Sequence, residues 1–332
     1  MYPLAMVLFL DQNCTRMNAI VKKEKKAAAH STAFSVRHML AALNLGSSDE
    51  SVLRYLDFFT AAVPVKTTRI LHVIPRFEWF QGLEPVAAMV PDALGFNKGV
   101  REEVESRVQM HPLCQQSKVS SEVREGNPLE HVLSEAEALK ADLVVVGQKR
   151  EAADRGILAG NLVRKAPANV LIVPEYAPAQ ISHIVVPVDF SPYSVKALET
   201  ALALRRTLGA SVRITCVNVY ELPNLNIYLV EKIEDVRRMV VEDRRAAFRD
   251  FLKRYAGAEA DTIETAFVER QSSSVASCIY GYVRQQGANL LVMGAKGHSQ
   301  VERLLLGSVS ESLLKIDGDV PMLVIRLVTR GQ

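Results

Sequence analysis

Residues 289–308 read NLLVMGAKGHSQVERLLLGS. A short apolar run closes on Gly294, Gly297 follows after two residues, and Gly307 and Ser308 stand together nine residues further on. An apolar run of this length reads as a buried parallel strand, and the stretch from Ser308 reads as the start of a helix. A glycine-bearing loop between strand and helix has the makings of a phosphate cradle. Glycine lets backbone N–H groups turn toward an anion and come close to it. The helix behind it offers unsatisfied N–H groups and the positive end of its dipole, with the Ser308 hydroxyl as a further donor.

Working outward, the same alternation fills residues 183–327. Strands are expected at 183–189 (HIVVPVD), 212–219, 262–268, 289–294 and 321–327, with helices at 193–208, 231–255, 274–286 and 308–315 between them. Gly209 stops the first helix, and hydroxyls at 272–274 can cap the third. Residues 38–173 repeat this order: strands at 38–44, 67–74, 118–124, 142–147 (DLVVVG) and 169–173, helices at 50–62, 98–111 and 128–140. Asn44 corresponds to Asp189 and Gly147 to Gly294, an offset of about 145 residues, which marks domain duplication rather than a short-period solenoid. The expected fold is α/β: two tandem Rossmann-like domains of flavodoxin order, each a five-stranded parallel sheet with helices on both faces. Expected boundaries are an extension at 1–34, a first domain at 35–174, a linker at 175–181 and a second domain at 182–328. The apolar runs at 170–173 and 322–325 are expected to pair the two domains through their fifth strands, since an exposed apolar edge invites association. Strands one and four are expected side by side, which brings Asp189 and Gly294 to one crevice at the carboxyl ends of the strands.

The frame G-x2-G-x9-G-S, together with a first strand running into VPVDFS (residues 186–191), resembles the nucleotide-binding signature of the universal stress protein family. The likeness of order and pattern spans residues 36–327. It implies ATP, with magnesium, as the ligand and regulation in stress physiology as the role. By motif position, Asp189 would meet the nucleoside end and the backbone of Val217 the adenine, its register open by one residue. Gly294, Gly297, Gly307 and Ser308 would hold the phosphates. Lys296, His298 and Arg303 lie in or near the loop and read more simply as solvated side chains.

The first domain departs from this pattern. Asn44 replaces the strand-end aspartate, and after Gly147 the chain runs QKREAADRGILAGNLVRKA. Two registers are open, one matching Gly160 to Gly307 and one matching Gly156. The second superposes Leu158, Leu162 and Val163 on Val309, Leu313 and Leu314 and is preferred. The loop is then four residues shorter, Arg150 stands where a glycine belongs, and Ile157 replaces the serine. Isoleucine has no donor for a phosphate, so the first domain reads as a partner that has lost its nucleotide site.

Length and composition agree with two ordinary globular domains: 332 residues, 48% hydrophobic and 23% charged. A net charge of +3 gives no argument for nucleic acid or an anionic membrane. The apolar stretch 1–10 is half of the roughly twenty residues a membrane span needs, and the basic run behind it reads as a disordered, dispensable arm. Cys14, Cys114, Cys216 and Cys278 show no metal or redox spacing; the last two read as core residues, and a cytoplasmic setting is expected. No catalytic motif of nucleotide-hydrolysing or acyl-transfer type is present. A weak ATPase or nucleotide-using enzyme, and a purely structural or partner-binding tandem, are the alternative readings; besides the intrachain domain pairing, a protein partner and a homodimer are left open.

Overall fold

The computed structural model describes residues 33–75, 96–112, 117–150, 156–222, 233–297 and 306–327. The arm at 1–32, Cys14, Cys114, His298 and Arg303 lie outside the described residues. In the first domain, β1 (Val36–Leu43), β2 (Val65–Ile74), β3 (Lys118–Glu125), β4 (Leu143–Gln148) and β5 (Asn169–Pro174) alternate with α1 (Ser48–Ala62), α2 (Phe96–Gln109), α3 (Pro128–Ala138) and α4 (Ile157–Lys165). The second domain repeats the plan. It has β6 (His183–Pro187), β7 (Arg213–Tyr220), β8 (Glu264–Glu269), β9 (Leu290–Gly294) and β10 (Met322–Ile325), with α5 (Pro192–Leu208), α6 (Ile233–Tyr255), α7 (Val275–Gln285) and α8 (Ser308–Leu314). A 3-10 turn at Gly257–Thr262, absent from the sequence reading, leads into β8.

The strands form one ten-stranded sheet in the order β3-β2-β1-β4-β5-β10-β9-β6-β7-β8. Each half therefore runs 3-2-1-4-5. Strands one and four are neighbours, as expected, but the flavodoxin label needs correcting: that order places strand three between them, whereas here strand three lies at the outer edge. The physical consequence is a crossover reversal directly between β6 and β9, and equally between β1 and β4.

The duplication extends to side chains. Asp142 Oδ2 accepts the N–H groups of Arg37 and His38 at 2.8 and 3.1 Å. Asn289 Oδ1 accepts those of Ser182 and His183 at 2.9 and 3.1 Å. Each bond set ties the start of strand one to the entry of strand four. The halves join through β5 and β10, which pair antiparallel with Leu171 opposite Leu323. Val145 pairs with Leu171 and Val292 with Leu323, so these two leucines are equivalent and a local twofold passes between them.

Two apolar layers cover the sheet, and each contains residues of both halves. One packs α1 and α5 with Phe248 and Phe251 of α6; the other packs α3, α4, α7 and α8. Cys216 lies at the heart of the first layer, whereas Cys278 is only half-buried, with Ser273 Oγ 3.1 Å from its sulfur.

Candidate functional site

At the end of β6 the chain turns out of the sheet. Val188 N–H donates to the Val217 carbonyl at 2.8 Å, and the Asn218 amide donates to the Val188 carbonyl at 2.7 Å. Asn218 Oδ1 in turn accepts from Arg244 of α6 at 3.0 Å. The next residue is Asp189, which is exposed. Its Oδ1 accepts the Ser191 N–H at 3.0 Å and, at close range, the Ser194 hydroxyl; Asp189 N–H donates to Ser194 Oγ at 3.0 Å. Phe190 follows at φ +64°, a left-handed conformation uncommon for a bulky residue. Its ring sits edge-on to Phe248 and Phe251, with centroids 5.0 and 5.5 Å away, which anchors the turn. The cap of α5 falls to Ser191, whose hydroxyl accepts from Ser194 N–H. Asp189 is therefore a turn-former and not the helix cap.

The glycine loop meets this turn. A Cβ at Gly297 would overlap Asp189 Oδ2, and one at Gly294 would lie 2.5 Å from Tyr193 Cβ. Gly307 N–H donates to the Ala295 carbonyl at 2.9 Å, and a Cβ on Gly307 would lie 3.6 Å from the Gly297 nitrogen. The two ends of the loop therefore close on each other. Ser310 Oγ donates to the Gly294 carbonyl at 3.0 Å, tying the first turn of α8 to the tip of β9. Asp189, Gly294, Gly297 and Gly307 come together, with Ser308 exposed as the first residue of α8. Val217 does not join them: it is buried and its carbonyl is committed to Val188 N–H. Phe190, Tyr193, Ser194, Asn218 and Ser310 build the site without having been singled out in the sequence. Ser194, five residues after the aspartate, and Ser310, two after Ser308, were the ones within reach of a local reading.

The corresponding place in the first domain uses the same backbone with its charge relocated. Leu45 is left-handed at φ +56°, as Phe190 is. Asn44 Oδ1 accepts Gly46 N–H at 2.8 Å, reproducing the Asp189–Ser191 bond. Asp49, at the position of Ser194, accepts the N–H groups of Asn44 and Leu45 at 3.1 and 2.7 Å. The carboxylate has moved from the exposed strand end to a residue 1% exposed. Burial holds the Asp49 carboxyl above its usual range, opposed by those two N–H bonds and by the charges of Arg107 and His72. The Lys149 ammonium lies 3.3 Å from the place a Cβ on Gly46 would take. Gly156 caps α4 as Gly307 caps α8, which settles the register of the shortened loop in favour of Gly156.

Among the described residues no cluster of three or more His, Cys, Asp or Glu is placed to hold a metal, and no helix is long and apolar enough to cross a membrane.

Two Rossmann-like domains fused through their fifth strands, one with a glycine loop closed against a strand-end carboxylate at the reversal of strand order, define a tandem α/β protein. Comparison with known proteins places it further. The model of the universal stress protein family matches residues 35–174 and again 180–326, and the chain belongs to that family. A universal stress protein of Methanocaldococcus jannaschii is 29% identical over 144 residues, covering 43% of this chain and 81% of that protein. One from Bacillus subtilis is 26% identical over 148 residues, covering 43% of this chain and 97% of its own. The crystal structure of a universal stress protein from Archaeoglobus fulgidus shares the fold, with a TM-score of 0.60 at 18% identity over 89% of this chain and 97% of that one.

Proposed function

We propose that this protein is a nucleotide-responsive regulator in stress physiology that binds one adenine nucleotide, ATP with magnesium, in its second domain. The observation that carries this reading is the close approach of Asp189 Oδ2 to the place a Cβ on Gly297 would take. A side chain at 297 would have to displace the carboxylate, so a strand-end acid and a loop that offers backbone N–H groups meet at one place. Asp189 serves the nucleoside end, while Gly294, Gly297, Gly307 and Ser308 serve the phosphates. The adenine contact assigned to Val217 passes to Val219. Main-chain groups of alternate residues face the same neighbouring strand, so Val219 turns its backbone to the side that β6 has left. Magnesium, if carried in, travels with the phosphates. The two stretches matched by the family model, 35–174 and 180–326, then divide the labour, with nucleotide in the second and docking in the first.

Calorimetric titration of the full chain with ATP and magnesium tests this. The expected stoichiometry is near one. Gly297→Val forces a branched side chain into Asp189 and is expected to cost more than about tenfold in affinity, about 1.4 kcal/mol. Ser308→Ala removes a donor to a charged group, worth about 1.5–3 kcal/mol. A stoichiometry near two, or affinity indifferent to Gly297→Val, defeats the single-site reading. Absence of binding leaves a structural, partner-binding tandem.

A further inference from the structure

The helix that opens with Ser308 is held at its other end by the first domain. Its last four carbonyls have no partner within the helix, and Leu314 is among them. Gln148, at the tip of β4, donates its side-chain amide to the Leu314 carbonyl at 2.6 Å in a buried setting. Gly156 lies against the same carbonyl, where a Cβ would come within 2.7 Å. Arg150 Nε pairs with Asp317 just past the helix at 3.4 Å, and its backbone N–H donates to Glu175 of the connecting segment at 3.3 Å. Arg164 of α4 reaches Glu311 of α8 at 3.2 Å.

The local twofold supplies a reciprocal contact, but a different one. Val163 occupies in α4 the place of Leu314 in α8, and its carbonyl is capped by Arg326 at 2.9 Å. The positions of Gln148 and Arg150 are filled in the second domain by Ala295 and Gly297, which have nothing to extend across the junction. Arg150, which takes a glycine's place in the first domain's own loop, thus joins Gln148 in gripping the end of the second domain's helix.

We propose that Gln148 and Arg150 are positioning residues for the phosphate side of the second domain's nucleotide site. This rests on the nucleotide reading above. Seven residues of α-helix span about 10 Å and act as a rigid strut. Its first turn is pinned to β9 by Ser310 Oγ on the Gly294 carbonyl. Fixing the Leu314 end from the first domain sets where Gly307 and Ser308 come to rest, so the degenerate domain completes the working one.

The test is titration of the full chain with ATP–magnesium and, separately, with adenosine. The variants are Gln148→Ala, Arg150→Gly, both together, and Arg150→Lys. The first two install the residues found at 295 and 297. The expected result is that the double variant loses about fivefold or more in ATP affinity, while adenosine affinity moves by less than about twofold because the strand-end acid is untouched. Arg150→Lys, which keeps the pairing with Asp317, holds ATP affinity near wild type. Unchanged ATP affinity in the double variant overturns the proposal, and so does parallel weakening of ATP and adenosine, the signature of general loosening. If the double variant does not fold, the solvent-facing Arg150→Gly decides by the same ATP-to-adenosine comparison. Wild-type protein that binds no ATP removes the nucleotide reading and this inference together, whereas binding that ignores the variants removes this inference alone.

Discussion

Ser194 holds the strand-end turn from both sides, donating to the Asp189 carboxylate and accepting the Asp189 N–H. Ser194→Ala leaves that N–H without its partner, and the expected cost is about 1–3 kcal/mol of stability, measured by denaturant titration, together with weaker ATP binding as Asp189 loses its orientation. A second residue-scale expectation concerns pH. Arg213 donates to His183 Nδ1 at 3.0 Å; since arginine only donates, Nδ1 carries the lone pair and Nε2–H donates to Thr215 Oγ1 at 2.9 Å. Thr215 passes the chain on to Glu264 at 2.9 Å. Burial, then Arg213, lowers the His183 pKa, against the Gln286 carbonyl and Glu264. The unfolded chain thus binds more protons than the native one in the window below the ordinary histidine value of about 6.5, and stability falls as pH drops through it. His183→Gln is expected to show a smaller loss of thermal midpoint between about pH 7.5 and 5.5. An equal loss in both proteins rules out this residue as the source.

Between elements, the decisive contact is β5 against β10. Leu171 and Leu323 face each other on the local axis at 1% and 2% exposure, in one apolar layer. Leu171→Ala and Leu323→Ala are each expected to cost about 2–5 kcal/mol, the range for a buried leucine cut back to alanine. Because the two are direct partners, the double variant is expected to depart from the sum by about 0.5 kcal/mol or more. Strict additivity would show that the pair does not couple. Helix starts were well marked in the sequence where the preceding hydroxyl or amide caps the first turn. Asn127 accepts from Leu129 and Glu130, and Ser274 accepts from Ser277. The start of α1 was set two residues late; Ser47 precedes the helix but makes no side-chain cap.

For the whole molecule, a continuous sheet and two apolar layers that each cross the junction join the cores of the two halves. Unfolding is expected as a single transition, with far-UV circular dichroism and amide exchange in β2 and β7 giving coincident midpoints; two separated steps would show independent halves. Cut at the connecting segment, residues 180–332 would leave β10 as an open apolar edge. That fragment is expected to self-associate through the pairing its sister strand supplies in the full chain, and a monomer in sedimentation equilibrium would contradict this. The second-domain affinity for ATP is expected to fall in the fragment, whose α8 has lost Gln148 and Arg150.

Period and punctuation sufficed for the sequence to determine the duplicated α/β order, the fifth-strand pairing and the glycine loop, because apolar runs and glycine spacing are local properties of the chain. The correspondence of Gly156 with Gly307 was legible too, through the apolar residues that follow each. Three things were decided only by the tertiary structure. The position of strand three depends on which edge a crossover chooses, and no residue of β3 records that choice. The commitment of the Val217 carbonyl depends on how far β6 runs before it turns, which rests on Asn218 and Phe190 reaching partners far along the chain. The roles of Gln148 and Arg150 are invisible to any reading within one domain. Their partners, Leu314 and Asp317, lie more than 160 residues away and come within reach only when β5 and β10 pair.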